Sequence, residues 1–79
     1  MGGKPRPKPS ILDRCTIDGI EGGRKVYKDE REEVFYTWDS WHGELEVFNK
    51  NGRHIGVADP LTGVLIKPPV RGRRISKRN

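Results

Sequence analysis

Apolar positions along this chain fall in short bursts between turn-forming residues, and no burst keeps a helical period for long. Val26-Tyr27 and Val34 to Trp38 are rich in β-branched and aromatic residues and predict two strands, with the charged run Asp29 to Glu33 as an exposed hairpin loop between them. Glu44 to Phe48 alternates, so Leu45 and Val47 face one side of a strand while Glu44, Glu46 and Phe48 face the other. Asn49-Lys50-Asn51-Gly52 predicts a tight turn, because Asn-Gly tolerates positive φ, and Arg53 to Ala58 is the returning strand. Asp59 to Gly63 predicts another turn and Val64 to Lys67 a last strand, which Pro68-Pro69 ends because proline has no amide to pair. Ile11 to Gly23 carries mixed signals and predicts a loop with one helical turn, since Gly19, Gly22 and Gly23 break any long helix. The expected fold is mainly β: a small, highly twisted antiparallel sheet of four or five short strands with a short N-terminal loop or helical turn.

Composition narrows the class. Seventy-nine residues make one domain, and with 32% hydrophobic against 34% charged residues its core must be thin. A single cysteine, Cys15, allows no intramolecular disulfide and no cysteine-based zinc site, and is expected to be structurally incidental. No apolar run approaches the ~18 residues that cross a bilayer, and the amino end has no apolar segment of signal-peptide length. A soluble protein is expected, without a membrane partner, whose export would need information outside this chain. Alternating proline and cations over residues 1–10 predict an extended, solvated linker of the kind that joins a domain to a longer protein, leaving residues 11–79 as the domain proper.

Charge is unevenly distributed. The net is +5, yet residues 11–66 hold seven bases against eleven acids, while residues 1–10 carry three bases and residues 67–79 carry six, with no acid in either end. Basic ends on an acidic body fit a polyanionic partner through counterion release, or alternatively a solvated tail that aids solubility.

Trp38-Asp39-Ser40-Trp41-His42-Gly43-Glu44-Leu45-Glu46 concentrates three carboxylates and an imidazole. With a period of two, His42, Glu44 and Glu46 line one face, with neighbouring Cα atoms about 7 Å apart and the outer pair about 13 Å apart. That span brackets a phosphodiester. Cleavage of RNA without a metal needs a base for the 2′-hydroxyl proton and an acid for the leaving 5′-oxygen; an ionised Glu46 and a proton-carrying His42 suit those roles, with Asp39 and Glu44 beside them. Arg73 or Arg74 can supply a cation for the charged transition state. Two other readings of the same residues stand beside this one: a solvated face of an exposed strand, and a divalent-metal site that lacks a well-placed second histidine. His54 reads as sheet packing or an RNA contact, and Trp38 and Trp41 as anchors of a core or interface or as platforms for bases.

These residues, with Gly52-Arg53-His54-Ile55-Gly56, Asp59-Pro60 and Thr62-Gly63, resemble the cytotoxic domain of the colicins and cloacin that cut ribosomal RNA, a domain type also found in pyocins and contact-dependent inhibition effectors. The resemblance runs from about Tyr36 to Ile75 and leaves the residues before Gly23 unmatched. It implies a twisted antiparallel sheet that, without a cofactor, cuts one bond in the decoding site of the small-subunit RNA and stops translation; a monomer is expected within the toxin–immunity complex. It also implies a catalytic group of Asp39, His42, Glu46 and Arg73, with Glu46 as base and His42 as acid. Glu44, Lys67, Arg71, Arg74 and His54 are then expected among the substrate contacts, with no metal. A tight, acidic immunity protein is the implied partner, and a larger toxin, secreted or delivered by the producing bacterium, is the implied carrier into the target-cell cytoplasm. Trp41 and Phe48 depart from the family pattern, where a polar residue and a tyrosine are expected.

Overall fold

The computed structural model describes residues 3–78. A 3-10 turn, Ile11–Arg14, leads into six strands: β1 (Thr16–Glu21), β2 (Arg24–Asp29), β3 (Val34–Asp39), β4 (Glu44–Phe48), β5 (His54–Ala58) and β6 (Leu65–Lys67). They form one antiparallel sheet in chain order, each strand paired with its sequence neighbours. The mainly β, antiparallel expectation is met, with more strands than the four or five expected.

The extra strand is β1, within the segment read as loop. The glycines taken as breakers build it. Gly22 and Gly23 lie at φ 56° and 82° and form the two-residue turn between β1 and β2, where glycine adopts positive φ freely. Gly19, at φ 133°, accompanies a shift in register between Ile17 and Gly19 that bends the edge strand. The helical turn was expected, and Ser10 caps it: its hydroxyl accepts from the Leu12 amide, and the Asp13 carboxylate accepts from the Ser10 amide in return.

Alternation on the inner strands divides the apolar side chains between the two faces of the sheet. One face carries Tyr27, Tyr36, Leu45, Val47 and Ala58, covered by Ile11 and Leu12 of the 3-10 turn. The Cys15 thiol packs at its margin, donates to the Ile11 carbonyl at 3.5 Å, and is pushed up to about 11, first by burial and then by Asp29. The other face carries Val26, Phe35 and Phe48, and its cover is Ile75 from the carboxyl end.

Both basic ends lie against the sheet. The amide of Lys4 donates to the Ser40 carbonyl at 2.6 Å, the Trp38 indole donates to the Lys4 carbonyl at 3.1 Å, and Arg6 stacks over the Tyr27 ring while bonding its hydroxyl. The expected linker is thus extended yet fastened to the domain over residues 4–10. Beyond β6 the chain turns back across the sheet. His54 donates its amide to the Arg73 carbonyl, Ile75 to that of Gly52, and Arg78 to that of Lys50, at 3.2, 2.9 and 2.8 Å. Arg78 then reaches Asp18 and Glu21 on β1 at 3.5 and 3.2 Å, so this strap ties the β5 side of the sheet to the opposite edge.

Three connections share one construction. Asp29, Asp39 and Asp59 each open a turn in which one carboxylate oxygen accepts the amides two and three residues on, at 2.7 to 3.2 Å. In each, the amide of the residue four on closes the turn onto the aspartate carbonyl, and that residue has positive φ: Glu33, Gly43 and Gly63. This corrects one expectation. Asp29 is not part of an exposed loop; it is 1% exposed, and its other oxygen pairs with the Arg14 guanidinium at 3.2 Å.

Gly52 carries the strap's closest approach. It sits at φ 85°, and a Cβ there would stand 2.1 Å from the Ile75 carbonyl oxygen. Gly52→Ala should therefore destabilise the domain by roughly 1–3 kcal/mol through overpacking plus the strain of a positive φ. Gly72→Ala, also at φ 85° but with open space around it, should cost only the strain. Urea midpoints at unchanged m-value measure both.

Candidate active site

Face parity brings the chemistry together. Phe35, Thr37 and Asp39 on β3 stand opposite Phe48, Glu46 and Glu44 on β4, so the apolar end of this face passes directly into its carboxylate end. A cleft of about 640 Å³ opens there, lined among others by Thr37, Asp39, Trp41, His42, Glu46 and Arg73.

His42 belongs to the turn, not to a strand. Gly43, at φ 69°, breaks the extended path, so the expected period of two from His42 to Glu44 does not hold. The turn brings His42 to the site by another route, three residues beyond the aspartate that organises it. Its Nδ1 lies 2.8 Å from Asp39 Oδ2, while Asp39 Oδ1 accepts the amides of Trp41 and His42 at 3.0 and 3.2 Å. Burial on its own would raise the Asp39 carboxyl. The bonds from the His42 side chain and amide, the His42 charge and the Trp41 amide outweigh it and hold the carboxyl below its ordinary value. The His42 side chain is 57% exposed and lines the cleft.

Glu46 is held from two sides. It is 5% exposed, so the reading of this face as a solvated strand surface does not hold for it. Arg73 Nη1 donates to its Oε1 at 2.9 Å, and His54 Nε2 stands 2.6 Å from the same oxygen, off the line of an ideal hydrogen bond. His54 Nδ1 accepts the Val70 amide at 2.9 Å, which assigns its ring proton to Nε2, facing Glu46. Among the described residues Glu46 Oε2 has no partner.

His54 therefore takes the packing alternative. Its side chain is fully buried, edge-on to the Phe48 ring at 5.3 Å and against Glu46, while the residue also lines the neighbouring cleft with Arg53 and Arg71. The signal that could have revealed this was register: β5 returns His54 opposite Phe48, whose side chain shares the Glu46 face. Glu44 pairs with Lys67 Nζ at 2.9 Å, bringing two expected substrate contacts together, although neither is among the residues that line the cleft of Asp39, His42 and Glu46. Arg74 lines the same cleft as Arg73, whereas Arg71 lines a neighbouring one together with Arg53, which the sequence reading did not single out.

Asp39, His42 and Glu44 place ligand-type atoms within 4.8 Å of one another, the geometry of a possible cation site. Internal partners already engage this set: His42 and two amides use both Asp39 oxygens, and Lys67 neutralises Glu44.

A family model described as Cytotoxic matches residues 10–76. The chain belongs to the Cytotoxic family. The match reaches well before Tyr36, so residues 10–22, expected to lie outside the resemblance, fall within the family match. Colicin E3 of Escherichia coli is 42% identical over 71 residues, covering 89% of this chain and 13% of its own length. Cloacin and Colicin-E6, both of Escherichia coli, are 42% and 41% identical over 59 residues, 71% of this chain and 10% of theirs. The cytotoxic domain thus spans about a tenth of the length of these relatives.

Because the folded-state Asp39 carboxyl is lowered, the stability it contributes is present above the ordinary carboxylate range and is lost as pH falls through its lowered value. Asp39→Asn should accordingly be less stable than wild type near neutrality, with the gap closing as pH falls from the ordinary carboxylate range through the lowered value. Chemical unfolding of both proteins across that range measures it.

Proposed function

We propose that this cytotoxic domain is a ribonuclease that cuts small-subunit ribosomal RNA at the decoding site without a metal and so stops translation. The observation that carries the reading is the convergence in one cleft of the Asp39–His42 pair and a buried Glu46 bound by Arg73. Glu46 Oε2, left open while Oε1 is engaged, accepts the proton of the 2′-hydroxyl as that oxygen attacks phosphorus. His42 Nε2 gives a proton to the departing 5′-oxygen as the P–O5′ bond breaks, leaving a 2′,3′-cyclic phosphate and a 5′-hydroxyl. Asp39, bound to Nδ1, orients the ring. Arg73, beside Glu46, faces the negative charge that builds on the phosphoryl oxygens. Lys67, Arg71 and Arg74 add positive charge around the path of the RNA.

Family membership supports the toxin context. The relatives are colicins and cloacin, and the small share of their length that this chain covers fits a killing domain carried by a larger secreted or delivered protein that acts in the target-cell cytoplasm. An acidic immunity protein is the partner that such a domain requires in its producer, and a net charge of +5 provides the attraction.

Purified bacterial ribosomes incubated in chelator with wild type, His42→Ala and Glu46→Gln provide the test. Wild type should release one discrete fragment of small-subunit RNA, and each variant should fall by roughly 10²- to 10⁴-fold while ribosome binding persists. Activity abolished by chelator would replace this mechanism with metal-assisted hydrolysis. No fragment from wild type, with binding intact, would leave a noncatalytic ribosome-binding module.

A further inference from the structure

A second cleft, of about 830 Å³, lies beside the first, and its lining includes Asn49, Asn51, Arg53, Arg71, Arg73 and Arg74. Among the described residues no carboxylate lines it. Arg53, Arg71 and Arg74 are exposed, and among the described residues none of them pairs with an acid, unlike Arg14, Lys67, Arg73 and Arg78. Converging guanidinium groups without an acceptor between them are built for an anion, and planar forked donors suit phosphate in particular. The size of the cleft exceeds a single phosphate group and accommodates a stretch of sugar-phosphate chain.

Its position along the sheet gives it a direction. The strand β4 starts at Glu44, beside Asp39 and the His42 turn, has Glu46 at its middle, and ends at Phe48 before the Asn49–Gly52 turn. Asn49, Asn51 and Arg53 therefore lie beyond Glu46 on the side away from His42. Arg73 and Arg74 line both clefts and join them into one path.

We propose that this second cleft binds the backbone phosphates on the 5′ side of the cleaved bond, so that an RNA strand crosses the sheet with its 5′ portion over the Asn49–Arg53 turn and its 3′ portion toward His42 and Trp41. The assignment of direction rests on the nuclease reading with Glu46 as base and His42 as acid. The base must meet the ribose that bears the attacking 2′-hydroxyl, which belongs to the nucleotide 5′ of the bond. The acid must meet the leaving oxygen, which belongs to the nucleotide 3′ of it. A strand continued past Glu46, away from His42, enters the arginine cleft.

The experiment uses a small-subunit RNA fragment spanning the cleaved bond, with a 2′-deoxy ribose at the attacked position so that it binds without being cut. A single methylphosphonate, which removes one backbone charge, is placed at either of the first two linkages on the 5′ side or on the 3′ side. For wild type, a 5′-side replacement should weaken binding about tenfold, the size expected for losing a charged hydrogen-bonded contact, and a 3′-side replacement should weaken it less. In Arg53→Ala/Arg71→Ala the 5′-side replacements should have little further effect, and the salt slope of binding should fall by about one for each arginine lost. Arg53→Lys/Arg71→Lys should regain part of the 5′-side sensitivity, which a misfolded protein would not. Loss confined to 3′-side replacements, or 5′-side sensitivity that persists in the double alanine variant, overturns the proposal. The parent fragment with its 2′-hydroxyl separates the two levels: a 5′-side effect without wild-type cleavage of that fragment or of ribosomes would show a phosphate cleft but overturn the direction derived from catalysis.

Discussion

A carboxylate placed in the middle of an inner strand and removed from water must be paired, and Glu46 takes the Arg73 guanidinium on one oxygen, with the His54 ring packed against the same atom. Each partner is itself tied to a different part of the chain. His54 belongs to β5 and receives the Val70 amide; Arg73 belongs to the strap, and its carbonyl accepts the His54 amide. Satisfying this one group draws β4, β5 and the carboxyl-terminal segment together. The desolvation that makes Glu46 costly to bury is offset by the same contacts that fix its open oxygen toward the cleft. Stability and site geometry are one constraint here, which explains how so small a core holds a preorganised constellation.

The Asp39 turn shows how an ordinary piece of local structure becomes chemical. Asp29 and Asp59 build the same turn, with an oxygen on two amides and a positive-φ residue closing it. In the first, the spare oxygen meets Arg14; in the Asp39 turn, it meets an imidazole. Nothing in the backbone of the Asp39 turn sets it apart. What differs is the residue three positions on, a histidine, and the face of the sheet on which the turn opens. Trp41, 77% exposed at its tip, is presented to solvent by the same backbone.

Much of this was legible in the sequence, because alternation reports which side of a strand a residue faces. Leu45 and Val47 against Glu46 and Phe48 gave the two faces of β4, and Asn51-Gly52 and Asp59 to Gly63 gave the turns around β5. β1 was illegible because its three glycines serve a bulge and a two-residue turn, and without pairing partners they read only as breakers. His42 shares a cleft with Asp39 and Glu46, but not through the expected alternation: period two cannot register a glycine at φ 69°. The roles of His54 and of the strap depend on contacts between residues far apart in sequence, such as Ser76 with Glu21 and Arg78 with Asp18, and no local pattern encodes those.

The strap also sets an order of assembly. Its contacts are among the most distant in the chain, so the loop-closure entropy they demand is recovered only after the sheet offers both edges to bind. Until then Glu46 has no Arg73 and the face above Phe35 and Phe48 has no Ile75. A chain emerging from synthesis presents the Asp39–His42 turn first and Arg73 last. The cleft is therefore timed by topology: it is completed with closure of the fold, and a chain whose strap has come undone has lost Arg73 from beside Glu46 along with the Ile75 cover over its core.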